Sequence, residues 1–96
     1  GIFDNGERMI YTPKIKEEVR KIKVPHDFPV DIIEYDMHPP FIGLRFYESH
    51  WASLNDLERL HCIDYLQKIK AIIEGHGVKV TIDPVYDTPG IQQVQR

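Results

Sequence analysis

Residues 53–77 read SLNDLERLHCIDYLQKIKAIIEGHG, and this stretch decides how the rest of the chain must pack. Between Leu54 and Ile73 there is no glycine or proline, and Leu, Glu, Arg, Gln, Lys and Ala fill most positions. Propensity and length therefore both specify a helix. Asn55 can cap the free N–H groups of the first turn while Glu58, three residues on, reaches back to the cap's own N–H; Ser53 with Asp56 offers the same arrangement two residues earlier. The start thus lies between Ser53 and Asn55. Gly75 supplies a left-handed residue to close the helix near Glu74, and Gly77 lets the chain turn into Val78.

At about 100° per residue, Cys62, Ile63, Tyr65, Leu66, Ile69, Ile72 and Ile73 share one face, which is the expected core face. Leu54, Leu57 and Leu60 continue the pattern backwards in steps of three, and each step rotates the stripe by about 60°. The first turns therefore aim their leucines elsewhere. Cover by Trp51 and the preceding loop is the expectation, because single domains expose few large apolar patches; the alternative is an apolar surface for a partner.

Working outward, Phe41–Glu48 (FIGLRFYE) alternates Ile42, Leu44 and Phe46 with Phe41, Gly43, Arg45 and Tyr47, as a strand with an inner and an outer face does. Phe28–Met37 (FPVDIIEYDM) is rich in β-branched and aromatic residues and reads as a preceding strand, ended by His38-Pro39-Pro40. Residues 48–52 (ESHWA) read as a connection. After the helix, Val78, Val80 and Ile82 alternate with Lys79, Thr81 and Asp83, a third strand stopped by Pro84. Upstream, Pro13 opens a short amphipathic helix with Ile15, Val19 and Ile22 at helical spacing, stopped at Val24-Pro25. Glu7–Tyr11 (ERMIY) carries a weak strand signal, residues 1–6 read as a loose terminus and 87–96 as a tail or linker.

The order (β)αββαβ predicts a single α+β domain over residues 7–86: an antiparallel sheet with two helices on one face. It is ferredoxin-like if the first strand forms, and otherwise a three-stranded αββαβ variant. Ninety-six residues suit one modest core. No run approaches the ~20 apolar residues of a membrane span, and no segment has the pattern of a signal peptide. The single cysteine, Cys62, excludes an internal disulfide and fits an intracellular protein, cytoplasmic or nuclear. The termini suggest a domain taken from a larger protein. Charge is uneven: Pro13–Val24 carries +3, with five cations against Glu17 and Glu18, which leaves −6 on the remainder of a chain whose formal charge is −3.

Function is less legible, and three classes of reading compete. The first is a non-enzymatic protein-interaction module, including contact with a second copy of itself, using Phe41, Arg45 and Tyr47 on the outer sheet face and the Trp51, Leu57, Leu60 surface. Surplus apolar and aromatic area without a catalytic constellation motivates it. The second is single-stranded RNA binding, with Tyr35, Phe41, Arg45, Tyr47 and Lys79 as a stacking platform and Lys14, Lys16, Arg20, Lys21 and Lys23 as a basic helix. Against it stand Gly43 where a stacking aromatic is needed, the acidic body, and the ordinary reading of a basic helix as a solvated face. The third is a small enzyme around Asp36, His38 and His50. No phosphate-cradling glycine loop or nucleophile elbow is present. His50, His61, Cys62 and Glu48 lack the close ligand pairs of zinc motifs, so neither a metal nor a cofactor is expected.

Overall fold

The structure, a computed structural model, describes residues 10–86. The expected terminus (1–6), the tail (87–96) and most of the ERMIY strand lie outside these residues; Ile10 and Tyr11, which are described, are not in a strand. Helix α1 spans Pro13–Arg20, with Pro13 at a first-turn position where a missing N–H leaves nothing unpaired. The Thr12 hydroxyl caps it by accepting the Ile15 N–H at 3.3 Å. Ile15 and Val19 point into the core, and the helix ends before the expected Val24.

A tight turn, Pro25–Asp27, follows, closed by the Phe28 N–H donating to the Pro25 carbonyl at 2.9 Å. His26 and Asp27 both sit at φ 51° in the left-handed region, which costs a non-glycine residue roughly 1 kcal/mol or more. The turn delivers Phe28 into the core, where it is wholly buried, so the expected strand begins only later. β1 is Asp31–Tyr35 and β2 is Phe41–Tyr47, antiparallel, with Ile32 opposite Leu44 and Tyr35 opposite Phe41.

Residues 48–52, read as a connection, form a one-turn helix, α2 (Glu48–Ala52). Helix α3 runs Asp56–Gly75. Its start is the expected capping box: the Asn55 side chain accepts the Glu58 N–H at 2.8 Å, and the Asn55 N–H donates to Glu58 Oε1 at 2.9 Å. Its stop differs in detail. Gly75 remains helical, and Gly77, at φ 85°, takes the left-handed conformation.

β3, Lys79–Val85, pairs with β2 in parallel, so the sheet is mixed, in the order β1-β2-β3, rather than antiparallel throughout. The cause is the 20-residue helix between them, which carries the chain back to the end where β2 began. Since β2 and β3 are direct neighbours, the βαβ unit is not split. The α+β architecture is the three-stranded αββαβ variant among the described residues.

Ile42, Leu44 and Phe46 from β2, Val80 from β3, and Leu66, Ile69 and Ile73 from α3 meet Ile15, Val19 and Phe28 in one core on one side of the sheet. Each such side chain contributes about 1.5–3 kcal/mol of apolar transfer. On that same side Glu34, in register with Ile42, aims its carboxylate at the segment before α1 and accepts the Ile10 and Tyr11 N–H groups at 3.1 and 2.7 Å. No helix among the described residues is long and apolar enough to cross a membrane.

Candidate interaction surface

Two surfaces flank this core, one of mixed character and one apolar. The first is the outer sheet face, whose composition follows from strand alternation and register. β1 contributes Asp31, Ile33 and Tyr35, β2 contributes Phe41, Gly43, Arg45 and Tyr47, and β3 contributes Lys79, Thr81, Asp83 and Val85. The Tyr35 and Phe41 rings stack with centroids 4.7 Å apart and planes 18° apart. Gly43 has a steric reason: a Cβ there would come 2.7 Å from Tyr35 Cε2 and 2.5 Å from Asp83 Oδ2. Glycine is what lets the Tyr35 ring and the Asp83 carboxylate close over the middle of β2.

Thr81 donates its hydroxyl to Asp83 Oδ2 at 3.2 Å. Arg45 stands in register between Asp31 and Asp83, so residues of opposite charge lie across from one another on the three strands. Tyr47 is the open end of this face, 45% exposed beside Val85. A concavity of about 80 Å³ lies there between Asp31, Arg45, Phe46, Tyr47 and Val85. It has room for only a few waters.

The second surface is the solvent side of α3. Leu57 and Leu60 are each 61% exposed and Ile63 is 43% exposed. The expected cover reaches only Leu54, which packs on the core. Trp51 turns the other way. Its half-buried ring lies 6.1 Å from Phe28 and 6.0 Å from Phe46, and the Arg59 guanidinium sits 5.7 Å above it while Arg59 Nε donates to the Trp51 carbonyl at 3.2 Å. Ile63 corrects the core assignment made from the helical wheel. The buried stripe is narrower (Cys62, Tyr65, Leu66, Ile69, Ile73), and Ile63, 100° around from Cys62, falls outside it.

The residues of the RNA reading are not brought together. α1 packs through Ile15 and Val19 on the inner side of the sheet, whereas the stacked pair and Lys79 lie on the outer side. Lys14, Lys16, Arg20, Lys21 and Lys23 are all exposed, with Lys16 placed 5.6 Å over the Tyr11 ring. The Asp36, His38, His50 grouping does not form either. His38 precedes β2 and His50 follows it, and seven strand residues at about 3.3 Å each hold them roughly 20 Å apart.

Burial pushes the Cys62 thiol up, with the Glu58 charge adding to the effect. It is therefore a protonated packing residue rather than a reactive thiolate. Tyr65 is likewise raised by burial and then by Cys62, and Tyr11 by burial and then by Tyr65. Among the described residues, no three or more His, Cys, Asp or Glu side chains are arranged so that they could hold a metal ion. One grouping escaped the sequence reading: His26, His61 and Glu58, separated by up to 35 positions and united only by the 25–27 turn against α3.

Comparison with protein-family models, with curated proteins and with solved structures finds no match for this chain.

Proposed function

We propose that the chain is a non-enzymatic protein-interaction module whose docking element is the solvent-facing ridge of α3, with a second copy of the chain as the occupant. The observation that carries this reading is the exposure of Leu57 and Leu60, on the side of α3 opposite its core stripe. A ridge of large aliphatic side chains on one straight helix matches its own image under a two-fold axis, so self-contact needs no second kind of surface. On the opposite side of the molecule Tyr47 is exposed at one end of the outer sheet face, while Phe41, at the other end of β2, is only partly exposed. A lone buried thiol supports placement in a reducing, intracellular compartment.

Sedimentation velocity across a wide concentration range tests the reading. Self-association that weakens in Leu57→Asp and Leu60→Asp, with both variants as stable as the parent, is the expected result. A monomer at every concentration removes it.

A second reading, single-stranded RNA on the outer sheet face, is favoured by one observation: the Tyr35–Phe41 stack with Lys79 in register beside Phe41. Titration with mixed-sequence RNA at low salt decides it, because electrostatic attraction is strongest there; no binding under those conditions eliminates it.

A further inference from the structure

The 25–27 turn meets α3 through two imidazoles. His26 Nε2 and His61 Nδ1 are 2.9 Å apart, the ring centroids are 5.1 Å apart and the ring planes differ by 4°. The centroid separation is about the N···N distance plus one ring radius at each end, so the rings lie end to end in nearly one plane rather than face to face. That is the geometry of an in-plane N–H···N bond, in which one nitrogen brings the proton and the other the lone pair. The far nitrogen of His26, Nδ1, is 3.8 Å from Glu58 Oε2. The Glu58 charge, too distant for a hydrogen bond, favours a proton on the nitrogen that faces it, and a proton there would leave His26 Nε2 bare and make His61 Nδ1 the donor.

We propose that Glu58, His26 and His61 form a proton-counting latch that holds the 25–27 turn on α3 and opens on acidification. In the neutral pair, protons sit on His26 Nδ1 and His61 Nδ1, and His61 Nε2 carries a free lone pair. One added proton enters there, keeps the N–H···N bond and leaves one cation with Glu58 as its counter-charge. A second added proton has only His26 Nε2 to occupy. That places two N–H groups head to head and two cations side by side against a single carboxylate, so the contact breaks.

The surrounding charges do not relieve this. Lys23 adds positive charge just before the turn, and Lys68 is engaged by Asp64 at 3.1 Å. Asp27 belongs to the turn itself, and the Tyr65 phenol, raised by burial, is neutral. Lys23, Asp64, Tyr65 and Lys68 line, with His61, an open groove of about 170 Å³. The turn is also poised to move: His26 and Asp27 are both left-handed, a conformation that L residues keep only while their surroundings impose it. The latch stands independently of the docking reading.

The test is an NMR titration of the chain from about pH 8 to about pH 5, the range in which histidines titrate. Long-range imidazole correlations are expected to show both His26 and His61 in the Nδ1–H form at the upper end. Hydrogen-exchange protection of the Phe28 amide, corrected for its intrinsic pH dependence, should be lost at the lower end. His26→Asn, a residue that tolerates the left-handed backbone, should lack that protection throughout and leave it independent of pH. Glu58→Gln retains the helix cap and removes the charge, so the Nδ1–H preference of His26 should disappear in it. Nε2–H forms for both imidazoles, or a His61 titration curve unchanged by His26→Asn, overturns the latch.

Discussion

The two halves of α3 are one continuous helix with opposite fates. Ile69 and Ile73, in the second half, are entirely buried against the sheet, while Leu57 and Leu60, in the first half, stand in solvent. Both halves carry large aliphatic side chains at three- and four-residue spacing. What separates them is phase: alternating steps of four and three keep Cys62, Leu66, Ile69 and Ile73 over the sheet, whereas uninterrupted steps of three walk Leu57, Leu60 and Ile63 across the opposite side. Hydrophobicity alone does not make a residue core; its angular position on the helix does.

The largest expected effect tests the buried half. Ile69→Ala and Ile73→Ala should each cost about 2–5 kcal/mol in urea unfolding, since each removes a fully enclosed side chain. The same truncation at Leu57 or Leu60 should change stability by no more than about 0.5 kcal/mol. A cost at Leu57 comparable to that at Ile69 would erase the contrast, and with it the docking ridge. Between these extremes, Asn55→Ala should cost about 1 kcal/mol by thermal unfolding, because the amide oxygen that accepts the Glu58 N–H at the head of the helix is lost.

A subtler test uses alkaline pH. Cys62 is raised in the folded chain, so the stability tied to its protonated form is fully present below the unfolded value, about 8.5, and is lost as pH rises through the higher folded value. Tyr65 and Tyr11 follow at still higher pH for the same reason. Thermal melts should therefore decline above about pH 8.5. The decline should be shallower in Cys62→Ala, although that variant starts lower. The smallest expected effect is at Lys68: Lys68→Ala breaks its 3.1 Å pair with Asp64 on the exposed flank and should cost well under about 1 kcal/mol.

The same contrast explains what the amino-acid order disclosed. The capping box of α3 was readable because Asn55 and Glu58 interact locally, and the inner and outer sets of β2 because alternation is local as well. The parallel pairing of β3 was not readable, since strand order depends on which way a connecting helix returns the chain. Leu57 and Leu60 were readable as out of phase with the core face, but their cover was not, because Trp51 had to choose between them and the Phe28–Phe46 rings. Ile63 sits at the margin of the helical stripe, where a wheel assigns it to either side. The His26, His61, Glu58 grouping depends on two consecutive left-handed residues that no sequence pattern announced.

Glu34 holds the entry to α1 by grasping main-chain hydrogens at residues 10 and 11 rather than any side chain. A clasp of that kind is indifferent to what Ile10 and Tyr11 are, provided neither becomes proline. The path into the first helix is thus anchored by one acidic residue two dozen positions away, which leaves the Ile10 and Tyr11 side chains free to pack on the core.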